Sequence, residues 1–287
     1  MGIKFRLIVM NFLQYAIWGS WLISLGAYLG GGLDFTGLQI GSFFATMGVA
    51  SLFMPAVMGI IADRWIPAQK LLGICHLVSG GFLIAAASQT AYGPLYSCML
   101  LSVMFYMPTI ALSNSVAYNA LDLARLDTVK HFPPIRVWGT VGFIAAMWFV
   151  DLTHIGGVQI KLTEWQLYVS AVLSFLLAVY SFSLPGCPVD RTVKARSWVD
   201  TLGLRAFTLF KEKRMAIFFV FSMLLGAALQ ITNAFGDSYI QSFGSMPQYA
   251  DSAIVKHSVI LLSLSQMSET FCILLIPFFL RRFGIKK

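Results

Sequence analysis

The chain has 287 residues, 58% hydrophobic and only 11% charged, with a formal net charge of +8 and a mean hydropathy of +0.77. Soluble domains are about half apolar and about a quarter charged, so this composition excludes an ordinary soluble globular protein. The apolar residues gather in long runs without period-two alternation, which excludes a transmembrane β-barrel and predicts an all-α integral membrane protein.

Eight spans are predicted, at about 7–31, 38–62, 71–89, 94–119, 133–153, 164–184, 215–242 and 255–280. The first apolar run is too long for a signal peptide, and no small-residue cleavage site follows it. It is not a myristoylation signal, because Arg6 stands where Ser or Thr is needed. The cysteines Cys75, Cys98, Cys187 and Cys272 are scattered without C-x-x-C spacing, so they read as small apolar fillers and not as metal ligands.

With the N-terminus inside, seventeen of the 20 Lys and Arg residues fall in inside segments and only Lys161 and Lys256 fall outside; Arg136 lies within a span. This asymmetry fixes the orientation by the positive-inside rule and accounts for the basic charge without nucleic acid. Spans one to six form an expected N-terminal bundle over 1–184. A basic connection over 185–214 follows, in which Ser197 and Asp200 make a capping-box pattern before Trp198, Leu202, Phe207 and Phe210, predicting a helix along the cytosolic surface. Spans seven and eight occupy 215–287. His76 and His257 lie near span ends and read as interfacial.

Six spans, a long basic loop and further spans resemble the layout of the major facilitator superfamily, whose members have two six-helix halves. The resemblance implies a major-facilitator-type bundle with a complete N-terminal half and the first two helices of a second half. Two helices without partners leave faces uncovered, so a partial form of a longer transporter is expected. The loop "GIIADRWIPAQK" carries Gly59, Asp63 and Arg64 as in the superfamily's G-x-x-x-D-R gating loop, although Ile66, Pro67 and Ala68 replace its usual Gly and basic residues. There a Gly would let helices approach closely, and the acid and base could form an ion pair that breaks as the bundle rocks.

Five blocks in order, "NFLQYAIWGSWLISLGAY", "FMPAVMGIIADRW", "FPPIRVWGTVGFI", "RMAIFFVFSMLLGAALQITNAFG" and "SQMSETF", resemble the bacterial nucleoside:proton symporter family within that superfamily. The resemblance runs through all 287 residues. It implies a multi-pass protein of the bacterial cytoplasmic membrane with a cytosolic N-terminus. It implies import of nucleosides such as uridine with protons, as a monomer, without cofactor or metal. No H-E-x-x-H or G-x-S-x-G motif points to an enzyme.

Polar residues at membrane depth carry the chemistry, since ionisable groups there are costly and by default mark a pathway or site. In span eight, Glu269 stands twelve residues before Arg281, with Gln266 and Ser265 one turn away on its own side. A carboxyl away from water favours its neutral form, which makes Glu269 the proton-coupling candidate. A structural hydrogen bond between helices is the alternative. In span seven, Gln230, Asn233 and Asp237 follow an i, i+3, i+7 stripe whose amides offer both donors and acceptors. The resemblance places substrate contacts at Gln230, Asn233, Gln266 and Glu269.

In span five, the block "FPPIRVWGTVGF" predicts a helix with Pro in its first turn. Arg136, Thr140 and Phe143 share one face, a set suited to holding a sugar and stacking a base. Arg136 lies only a few residues inside the predicted end, where snorkelling is the ordinary explanation; the resemblance favours the cavity. Asn11, Gln14, Trp18 and Trp21 in span one, and Asn114 and Tyr118 in span four, fit either a cavity wall or a packing seam.

Overall fold

A computed structural model describes residues 2–189 and 209–283. Among them are eight helices of 17 residues or more: α1 (Ile3–Gly19), α2 (Gly37–Arg64), α3 (Ala68–Ala87), α4 (Tyr92–Leu123), α5 (Thr128–Leu152), α6 (Trp165–Ser181), α7 (Lys213–Ser242) and α8 (Ser258–Phe283). By length and composition, five of these described helices can cross a membrane: α2, α3, α4, α5 and α7 with its following turn. Most of the surface helix expected between Ser197 and Arg214 lies outside the described residues.

The first predicted span is not one straight helix. After Gly19 it passes through a turn into the short helix Leu25–Ala27 and a π-helical turn over Tyr28–Gly32. Hydrogen bonding explains the break. The Ser170 hydroxyl of α6 donates to the Ile17 carbonyl at 2.8 Å. The Trp21 N–H then bonds one residue short, to the Trp18 carbonyl at 3.3 Å.

Local signals set other ends. The Thr36 hydroxyl accepts from the Gln39 N–H, and the Gln39 side chain accepts from the Thr36 N–H, a capping box that starts α2. α5 starts earlier than expected, at Thr128, because the Asp127 carboxylate accepts from the Val129 N–H at 2.9 Å. Pro133 and Pro134 therefore lie inside α5, and Arg136 is more than two turns along it. Between α5 and α6, "HIGGVQ" forms a hairpin of β1 (His154–Ile155) and β2 (Val158–Gln159). Gly156 and Gly157 supply the two positive φ angles, +60° and +83°, that a two-residue turn of this hand requires.

Small residues set how closely helices pack, as in other membrane bundles. A Cβ on Gly142 would lie 2.2 Å from the Phe12 carbonyl oxygen, and one on Gly19 would lie 2.3 Å from that of Phe143. α1 and α5 thus meet backbone to backbone. Gly73 of α3 seats likewise against Ala178 and Ser181 of α6. Gly59 does not: a Cβ there would face open space, so close packing is not its role in this structure. One hydrophobic core runs through α1 to α6. From α7 and α8, among the described residues, Ala234 and Val259 join it as fully buried members. Phe218, Phe221 and Leu224 of α7 are exposed, as lipid-facing side chains are in a membrane-spanning helix.

Candidate functional site

The α1–α5 seam builds one wall. Arg136 is half-buried, its guanidinium carbon 3.8 Å from the Tyr15 ring centroid, a cation–π contact that turns it into the bundle and away from headgroups. Thr140, one turn on, is also half-buried. The two line a cavity of about 160 Å³ with Phe132, Pro133, Val137 and Thr270. Thr270 follows Glu269, so the α5 wall faces α8 close to the predicted acid. Tyr118 of α4 packs on Phe132 at 4.5 Å between ring centroids.

Phe143, the third predicted residue of α5, is buried and meets Trp18 edge-on at 6.4 Å. Trp18 in turn packs against Tyr106 of α4 at 5.9 Å. A larger cavity, about 700 Å³, lies between α1, α2, α4 and α7 and is lined by Trp18, Phe44, Met107, Gln230 and Phe235, among others. Gln230 is thereby placed on a cavity and Asn233 is half-buried one turn later. Gln266 is half-buried, and Glu269 is exposed on α8; neither lines the described cavities. Asp63 is exposed at the end of α2, and among the described residues it forms no ion pair with Arg64.

Behind Trp18, a buried network holds the wall in place. The Gln14 amide donates to Thr109 Oγ1 at 2.7 Å and accepts from His76 Nε2 at 2.8 Å. Since the Gln14 oxygen can only accept, the His76 proton sits on Nε2, and its Nδ1 is left buried without a partner. The Tyr106 hydroxyl donates to the Gln14 carbonyl at 2.6 Å. His76 is fully buried in the bundle, not interfacial as its place in the sequence suggests, because Gln14 offers it an acceptor.

A second polar cluster escaped the sequence reading. Lys161, expected in an outside loop, is 1% exposed. Its ammonium donates to Asp151 Oδ1 at 2.5 Å, to the Lys256 carbonyl at 2.8 Å and to Ser258 Oγ at 3.3 Å, which uses all three protons. His257 Nδ1 lies 2.7 Å from the other Asp151 oxygen. Ser258 also donates to Asp237, whose second oxygen accepts from the Gln241 amide at 2.9 Å. Asp237 is fully buried as a member of this cluster. The cluster ties α5 and the segment after its hairpin to α7 and the start of α8. The GG turn and the lone lysine beyond it were the signals available in the sequence. What they could not reveal is the pairing with Asp151 and Ser258.

Comparison with known proteins follows the same lines. The family described as nucleoside H+ symporter matches residues 1–287. The xanthosine permease of Escherichia coli (strain K12) is 52% identical over 286 residues, covering 100% of this chain and 67% of that protein. The nucleoside permease NupG of the same organism is 47% identical over 286 residues, with the same two coverages. A crystal structure of a point mutant of the nucleoside transporter NupG superposes with a TM-score of 0.90, at 47% identity, over 99% of this chain and 70% of that one. A second NupG crystal structure gives a TM-score of 0.86 over 100% and 69%. This chain thus spans about two thirds of the length of these relatives.

Proposed function

Since the chain belongs to the nucleoside H+ symporter family, we propose that it imports nucleosides with protons across the bacterial cytoplasmic membrane by alternating access. The observation that carries this reading is the cavity between α1 and α7, with Gln230 on one wall and the Arg136–Tyr15 and Phe143–Trp18 pairs on the seam beside it. Gln230 and Asn233 supply amide donors and acceptors for a base edge or a ribose hydroxyl. Arg136 and Thr140 hold sugar oxygens, and Phe143 offers the aromatic face. Gln266 and Glu269 close the site from α8, with Glu269 exchanging the coupled proton.

In this reading the N-terminus is cytosolic, the protein is a monomer, and uridine is a substrate. The Lys161 cluster then lies at the external end and joins the first six helices to α7 and α8, where the two parts must separate for substrate to enter from outside. The loop of Gly59, Asp63 and Arg64 lies at the internal end, where it gates the opposite opening.

Glu269→Gln tests the proton assignment by equilibrium uridine binding across a pH series. The unmutated chain is expected to bind more tightly as pH falls, by up to about tenfold per pH unit where one proton is taken up with the ligand. The variant is expected to bind with no such dependence. Undiminished pH dependence in Glu269→Gln would remove Glu269 from the coupling step. Failure of the unmutated chain to bind any nucleoside would contradict the function itself.

A further inference from the structure

We propose that His257 is a proton-sensitive latch: as an imidazolium ion on Asp151 it holds the external end of the bundle closed, and on losing its proton it loosens that end. The proposal rests on the orientation and the alternating access proposed above. Three successive residues grip the buried Asp151–Lys161 pair from the α8 side. The Lys256 carbonyl and the Ser258 hydroxyl accept from the Lys161 ammonium, and His257 Nδ1 lies 2.7 Å from Asp151 Oδ2. Asp151 belongs to α5, so the His257 contact crosses from α5 to the start of α8. The Asp151 and Lys161 side chains are 0% and 1% exposed, but that of His257 is 38% exposed, so a proton can reach it from water. Imidazole is the side chain that changes charge between about pH 5 and 8, whereas a carbonyl and a hydroxyl do not titrate there. Of the three gripping groups, only His257 therefore follows the external pH.

A carboxylate oxygen can only accept, so His257 Nδ1 carries a hydrogen in both charge states and the added proton goes to Nε2. The existing N–H···O bond then becomes charge-assisted, which makes it roughly twice as strong. The charged groups nearby decide the sign. Asp151 of α5 attracts the imidazolium directly. Lys161, beyond β2, sits on the other Asp151 oxygen and repels it. Asp237 of α7 offsets that repulsion, since it accepts from Ser258, which itself accepts from Lys161. Lys256, the neighbour in the chain, is exposed and holds its ammonium 3.0 Å from Asp251. His154 of β1 is exposed and bonds the Leu152 carbonyl at 3.0 Å. The buried cluster thus sets two carboxyl groups against one ammonium, and the imidazolium adds the second positive charge. When the end opens, His257 exchanges Asp151 for water, so the closed state binds this proton more tightly. By linkage, closing is favoured as pH falls and that advantage is lost as pH rises. A proton arriving from an acidic exterior draws the external end shut behind an entering substrate. This proton site is separate from Glu269, which lies twelve residues later in the chain, about 18 Å along α8.

The test is hydrogen–deuterium exchange of the purified full chain at about pH 5.5 and about pH 8, without nucleoside, for the unmutated protein, His257→Asn and His257→Arg. Asparagine offers Asp151 an amide donor that never titrates, and arginine keeps a positive charge at both pH values. Amides of 153–163 and 243–261 report opening of the external end, once corrected for the intrinsic pH dependence of exchange. In the unmutated chain their protection is expected to be about fivefold higher at the lower pH, the difference between a neutral and a charge-assisted hydrogen bond at a partly exposed site. His257→Asn should show the weaker protection at both pH values, and His257→Arg the stronger. Amides of α3 should show no such change. Absence of the pH effect in the unmutated chain, a measurement that needs no variant to fold, overturns the proposal. So does a pH effect retained in His257→Asn, or one shared equally by α3. Because no nucleoside is present, any of these results leaves the proposed function standing. A parallel titration in which the unmutated chain binds no uridine contradicts that function and leaves the latch to be decided by exchange alone.

Discussion

Replacing Lys161 with methionine is expected to destabilise the protein by about 3–5 kcal/mol, the cost of leaving a buried charge without its partner. Asp151 is fully buried and would keep only His257, which is 38% exposed on its side chain. Ser258 would lose this donor as well, and the Lys256 carbonyl would keep only the Gln159 amide at 3.3 Å. Thermal unfolding of the detergent-solubilised chain should therefore begin well below that of the unmutated chain. The double replacement Lys161→Met with Asp151→Leu should recover most of the loss, because an apolar pair of similar volume tolerates the same surroundings. If the single variant unfolds like the parent, the cluster does not hold α5, α7 and α8 together at this end of the bundle.

The second large effect is expected at Gly142. Alanine there would put a methyl carbon 2.2 Å from the Phe12 carbonyl oxygen and 2.8 Å from its carbonyl carbon. Neither contact belongs to a flexible side chain, so α1 must move away from α5. Overpacking of this kind costs about 1–3 kcal/mol and sometimes more. The displaced seam also carries Arg136 on Tyr15 and Phe143 on Trp18, so uridine affinity should fall with stability. Gly81→Ala in α3 is the control: its added Cβ meets nothing within 4 Å, and the change should be neutral or slightly stabilising. Equal behaviour of the two variants would show that the seam is not tight in solution.

The two substitutions also mark how far the sequence could be read. Hydropathy located the helices, because twenty apolar residues in a row have few other fates. Asp127 and Thr36 are short polar residues that cap helices, and the GG turn is visible as a dipeptide. The break after Gly19 could not be read, since it depends on Ser170, 153 residues later, bonding the Ile17 carbonyl. The burial of Lys161 and of His76 escaped for the same reason: a lone polar residue is assigned to the surface unless its partner is known, and Asp151 and Gln14 lie elsewhere in the chain. The predicted Arg136, Thr140, Phe143 face was recognisable by helical spacing, and the structure sets these residues along the seam. That Trp18 joins Phe143 to the cavity holding Gln230 is a relation among three helices, beyond the reach of any periodicity.

The most direct measurement is radiolabelled uridine uptake into proteoliposomes of the purified chain under an imposed pH gradient. Proton-coupled import predicts faster uptake when the outside is acidic, and collapse of that advantage when a protonophore is added. Uptake indifferent to the gradient would contradict coupling, and binding without uptake under any gradient would contradict transport.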